Sequence, residues 1–115
     1  MNLCKKLCNS TKWSLEGLTC TFKFETAFKI ELIVVLALSP IAFFLAKDLN
    51  QLLFLLISLY AVLIVELINT AIEAVVDRIG LDHHALSKSA KDAGSAAVFL
   101  SILLAAFVWI IVCCY

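Results

Sequence analysis

"LLFLLISLYAVLIVELINTAIEAVVD", Leu52 to Asp77, changes character partway along. No charge interrupts it as far as Val65, after which Glu66, Asn69, Thr70, Glu73 and Asp77 follow within a continuing apolar background. Crossing the hydrocarbon core of a bilayer as a helix takes about 20 apolar residues. The stretch is long enough to do so and to carry its carboxylates to one end. At 100° per residue, Glu66, Glu73 and Asp77 fall within about 40° of one another, flanked by Asn69 and Thr70. Ionisable groups in a membrane segment are costly and usually mark function. Polar glue between helices is the plainer alternative, but glue rarely needs several carboxylates on one stripe.

The rest of the chain supports a membrane setting. Of its 115 residues 63% are hydrophobic and the mean hydropathy is +1.05. A soluble domain this small lacks the interior to hide that much apolar surface. Two further apolar runs flank the first: "IELIVVLALSPIAFFLA" from Ile30 to Ala46, and Ala96 to Cys114. Pro40 lies inside the earlier run, where it is expected to kink a packed membrane helix rather than break it. Nine basic residues balance nine acidic ones, so the formal charge is zero and no nucleic-acid partner is indicated.

The N-terminal segment has no continuous apolar core followed by a small-x-small site, which argues against a cleaved signal peptide. On a helical wheel Leu3, Cys4, Leu7, Cys8, Leu15, Leu18 and Phe22 share a face, with Lys5, Lys6, Lys12 and Glu16 mostly off it. This pattern predicts an amphipathic helix lying in the membrane interface. The fold class is therefore an all-α membrane protein, a single unit. It comprises a surface helix over 1–28, spans over 29–47 and 50–76, a cytoplasmic connection and helix start over 77–94, and a third span over 95–115. Lys5, Lys6, Lys12, Lys23 and Lys29 precede the first span, and Arg78, Lys88 and Lys91 lie between the second and third. Only Lys47 lies between the first two. Positive residues stay inside, so the N-terminus and the 77–94 connection are expected in the cytoplasm and the C-terminus outside.

A second polar cluster, "LSKSAKDAGSAAV" from Leu86 to Val98, opens the third helix. Lys91 and Ser95 are four apart and share a face, with Lys88 nearby. A lone lysine at a membrane boundary is usually an interfacial anchor. Opposite a carboxylate stripe, Lys91 can also neutralise acids or bind phosphate. Two carboxylates suit Mg²⁺, which takes oxygen ligands and commonly brings nucleotide phosphates with it. A deeper, desolvated carboxylate suits a general base. Together they point to phosphoryl transfer from a soluble nucleotide to a hydroxyl at membrane depth, although no Walker loop or soluble-kinase motif set is present.

"VELINTAIEAVVDRIG" followed by "LSKSAKDAGSAAV", with "ETAFKIE" upstream, resembles the bacterial integral-membrane diacylglycerol kinases and the related undecaprenol kinases. The resemblance covers nearly the whole chain. It implies a homotrimer in the bacterial inner membrane, with active sites shared between subunits, that moves the γ-phosphate of MgATP to a lipid hydroxyl. It places Glu66 on the general base, and Glu25 and Glu73 on the metal-binding pair that also faces ATP. Lys91 falls on the γ-phosphate lysine, with Asp92 beside it. Asn69, Asp77 and Ser95 fall on further polar positions of the site. Asp82, His83 and His84 fall where the family touches the nucleotide and usually reads Glu-Tyr-His, so Asp82 and His83 are departures. Lys6 stands where a relative has arginine, and Trp13 where it has tyrosine. Diacylglycerol is the expected acceptor. An undecaprenol kinase of the same fold stays open, as does an oligomeric ion or proton pathway lined by the glutamates. A cation pore, however, would gain nothing from the lysines beside the acids.

His83 and His84 have no cysteine or third histidine spaced to complete a zinc site. Cys4 and Cys8 are expected inside, where they stay reduced, and Cys113 and Cys114 at the outer end, so no bridge can join the two pairs.

Overall fold

The computed structural model describes residues 2–115; Met1, the first residue of the expected surface helix, lies outside the described residues. Four helices follow in order: α1 Leu3–Phe24, α2 Thr26–Leu45, α3 Leu49–Ile79 and α4 Ala85–Cys114. The last three are each long and apolar enough to cross a membrane.

Local chemistry sets the boundaries. Asn2 starts α1 by accepting the Lys5 amide at 2.8 Å. Asp48 starts α3 by accepting the Gln51 amide at 2.8 Å, and the Gln51 side chain accepts from the Lys47 amide at 2.9 Å, so the turn before α3 is tied from both sides. His84 caps α4, its Nδ1 accepting the Leu86 amide at 3.0 Å. Only one extended residue, Glu25, separates α1 from α2. The first apolar helix therefore begins at Thr26, and the polar junction before it is a carboxylate. α2 runs through Pro40 without interruption, with the Ser39 hydroxyl bonded to the Val35 carbonyl at 2.7 Å. The helix of the third span begins at Ala85, so most of the stretch from 77 to 94 is helical at one end or the other and the connection proper is short.

α3 is the central element and packs most extensively on α4, then on α2. One apolar cluster joins α2 to α3 through Phe28, Val35, Leu59 and Leu63, with Trp109 of α4 against it. A second joins Ala42, Leu55 and Val112 nearer the other end. There the Lys47 ammonium donates to the Tyr115 carbonyl at 2.7 Å. The antiparallel run of α2, α3 and α4 thus collects the α2 start, the α3 end and the α4 start at one end of the bundle.

This core is thin. The chain exposes 8404 Å², whereas a compact soluble protein of 12.7 kDa exposes about 6,200 Å². The surplus is apolar: Phe44 is 89% exposed, Ile57 63% and Phe107 61%. Water makes such a surface unfavourable at roughly 25 cal/mol per Å². Lipid tails, or another copy of the chain, remove that penalty. No residue of α1 is buried, and the helix touches the rest of the bundle chiefly through α2.

Candidate functional site

Two levels of polar side chains occupy the end of the bundle where α2 begins, α3 ends and α4 begins. At the deeper level Glu66 and Asn69 are buried in α3, each 7% exposed. The Asn69 side-chain amide donates to Glu73 Oε1 at 3.2 Å, one turn further along the same helix. Glu73 is half-buried and Asp77, a further turn on, reaches the surface. The stripe therefore grades from a buried carboxylate to a solvated one. Seven residues of helix set Glu66 and Glu73 about 10 Å apart along the axis.

Opposing helices supply the partners. Lys91 of α4 pairs with Asp77 of α3 at 2.6 Å, closing the short connection between the two helices. Both side chains are about half exposed, at 43% and 49%. A pair this exposed is screened by solvent, so the Lys91 ammonium is available to another anionic partner such as a phosphate. Lys88 pairs with Asp92 on the outer surface of α4, also at 2.6 Å. A cavity of about 310 Å³ opens beside these groups, lined by Asp77, Asp82, His83, His84, Ser87, Lys88, Lys91 and Asp92. The hydrogen bond from Leu86 to His84 Nδ1 leaves the neutral ring's proton on Nε2, which makes that nitrogen a donor.

Glu25, at the elbow between α1 and α2, lies with Glu73 within electrostatic reach of Glu66. Register accounts for this. Glu25 and Glu31 are six residues apart on the segment entering and forming α2, and Glu66 and Glu73 are seven apart on α3. Antiparallel packing sets Glu25 near the level of Glu73, and Glu31 near the level of Glu66. Glu31 interacts electrostatically with Glu66, and its Oε2 is buried with no hydrogen-bond partner among the described residues. Glu31 closes the "ETAFKIE" motif, but the sequence alone gives it no role in the site. Its signal in the sequence is a lone carboxylate one position inside the first apolar run.

Not every expected residue joins this constellation within one chain. Ser95 follows the buried Gly94 but is itself exposed and does not line the cavity. Lys6 and Trp13 lie exposed on α1, away from the cavity between α3 and α4. Among the described residues no three His, Cys, Asp or Glu side chains converge as a ready-made metal cage. A hard cation such as Mg²⁺ typically takes one or two protein carboxylates and completes its shell with phosphates and water. Glu25 and Glu73 offer the hard oxygen donors such an ion takes.

The comparisons with known proteins point to one family. The model of the family described as prokaryotic diacylglycerol kinase matches residues 12–113. A diacylglycerol kinase from Haemophilus influenzae is 46% identical over 103 residues, covering 90% of this chain and 87% of that protein. One from Escherichia coli K12 is 42% identical over 106 residues, covering 92% and 87%. One from Pseudomonas aeruginosa is 40% identical over 105 residues, covering 91% and 85%.

Proposed function

The chain belongs to the prokaryotic diacylglycerol kinase family, and from that premise we propose that it transfers the γ-phosphate of ATP to the hydroxyl of diacylglycerol, giving phosphatidic acid and ADP. The observation that carries this reading is the graded stripe on α3. It has a buried carboxylate where a lipid headgroup can reach, and polar groups beside a cavity of mixed charge, carrying Lys88 and Lys91, where a nucleotide can arrive from water.

Each side chain then has a task. Glu66 takes the proton of the lipid hydroxyl as that oxygen attacks the γ-phosphorus and the bond from γ-phosphorus to the β–γ bridging oxygen breaks. Lys91 leaves Asp77 to hold the γ-phosphate oxygens, with Asp92 beside it. Asp82, His83 and His84 face the nucleotide, His84 through its Nε2 proton. Asn69 fixes the Glu73 carboxylate, and Asp77 and Ser95 support the site. Mg²⁺ bound by Glu25 and Glu73 would supply charge neutralisation on the phosphates. Lys6 and Trp13 of α1 complete the nucleotide contacts from a neighbouring subunit of a homotrimer. That assembly also accounts for the apolar surface left open on a single chain.

Purified protein in mixed micelles with γ-labelled MgATP is expected to phosphorylate diacylglycerol in clear preference to undecaprenol. The relatives' names favour the first acceptor. Label appearing chiefly on undecaprenol would reassign the substrate, and label on neither would remove the kinase reading.

The reading also fixes an orientation. The nucleotide end carries Arg78, Lys88 and Lys91, with the α1 lysines preceding the first span, so it faces the cytoplasm of a bacterial inner membrane and the end of α4 faces out. All five cysteines are free and exposed. A membrane-impermeant thiol reagent on intact cells is expected to reach Cys113 or Cys114 and to spare Cys4 and Cys8. Labelling of the N-terminal pair in sealed cells would reverse the topology.

A further inference from the structure

Three glycines occur in the chain, and for two of them, Gly17 and Gly80, an added side-chain carbon would meet nothing within 4 Å. Gly94 differs. It is buried on the face of α4 turned to α3. A Cβ at Gly94 would fall onto Asn69 Oδ1, with Asn69 Cγ at 3.2 Å and Ile72 Cδ1 at 3.8 Å. The place of the missing side chain is thus filled by the carboxamide of Asn69. That oxygen is buried and has no hydrogen-bond partner among the described residues. It sits along the direction of a Gly94 Cα–H bond, where it gains a weak C–H···O contact at most. The other end of the carboxamide is engaged, its amide donating to Glu73 Oε1.

An unpartnered amide oxygen next to a glycine is a poor arrangement for stability alone, because leaving a buried acceptor unsatisfied is unfavourable. It becomes intelligible if the carboxamide's orientation is what the site requires. With the oxygen held in the slot at residue 94, the amide must point along α3 towards Glu73. We propose that Gly94 is a positioning residue: the slot made by its absent side chain aims the Asn69 amide at Glu73, and so fixes the carboxylate that receives the metal–nucleotide. This rests on the reading of Glu73 as a metal carboxylate.

The test is a double-variant cycle on the full-length protein in mixed micelles, reading kcat/KM for MgATP and the Mg²⁺ concentration giving half-maximal rate. Gly94→Ala pushes the carboxamide out of its slot. It is expected to lower kcat/KM about tenfold and to raise the Mg²⁺ requirement, within the range of coupling seen between contacting residues. Asn69→Ser removes the amide and leaves room for a Cβ, so it produces the same defect. On the Asn69→Ser background, Gly94→Ala is expected to change kcat/KM less than about twofold. If Gly94→Ala alone accumulates poorly, the double variant is expected to accumulate and resist unfolding as Asn69→Ser does. A double variant as unstable as Gly94→Ala would overturn the proposal, and so would losses that simply multiply. Strong coupling with an unchanged Mg²⁺ requirement would uphold the slot and overturn the metal role of Glu73, which separates the two readings.

Discussion

Glu66→Gln is expected to reduce lipid phosphorylation about 10²–10⁴-fold, the usual contribution of a general base, while MgATP affinity stays within a few-fold of the parent. The substitution keeps the shape of the side chain and removes its ability to take a proton. Glu66 is buried in α3, about 10 Å deeper than Glu73, so the substitution leaves in place every side chain proposed to meet the nucleotide and changes only a charge within electrostatic reach of Glu25 and Glu73. Rate and affinity must be measured on the same folded preparation. Equal loss of both would mean that Glu66 shapes the nucleotide site or the assembly. Undiminished phosphorylation would take it out of the chemistry, and Glu31, the second carboxylate near its level, would become the candidate base.

The part of this site that lies on one helix is legible in the amino-acid sequence. Glu66, Asn69, Glu73 and Asp77 fall on a single face because helical geometry alone relates residues three, four and seven apart. The spans are legible for a similar reason, since an uninterrupted apolar run of that length has little use outside a bilayer in so short a chain. Contacts between helices are harder to see. That Lys91 pairs with Asp77 depends on how α4 is rotated against α3, whereas Lys88 and Asp92, four apart on one helix, are a pair that spacing alone allows. Glu31 stands inside the "ETAFKIE" motif, yet its place beside Glu66 comes from antiparallel register, which is a relation between two helices. Gly94 carries no signal of its own. An absent side chain matters only once the neighbour that fills its place is known.

Glu73→Gln is expected to lower kcat/KM for MgATP by on the order of 10²-fold or more at ordinary Mg²⁺, with the protein still folded and assembled. Even the outer partners of metal ligands are commonly worth 10–100-fold, and a direct carboxylate ligand should be worth more. The isosteric amide can still accept the Asn69 hydrogen bond through its oxygen, so local packing in α3 is preserved and the change is one of charge. A neutral amide binds a hard dication far less well than a carboxylate, and excess Mg²⁺ should therefore restore part of the rate. Glu66→Gln has no such reason to respond to Mg²⁺, because its defect is a missing proton acceptor. Titrating Mg²⁺ against both variants thus separates the two carboxylates by task as well as by depth. Near-normal turnover of Glu73→Gln at ordinary Mg²⁺ would show that the metal is held elsewhere. A deep loss that no Mg²⁺ concentration relieves would instead make Glu73 a partner of the phosphates' other ligands, with Glu25 left as the metal carboxylate at the elbow between α1 and α2.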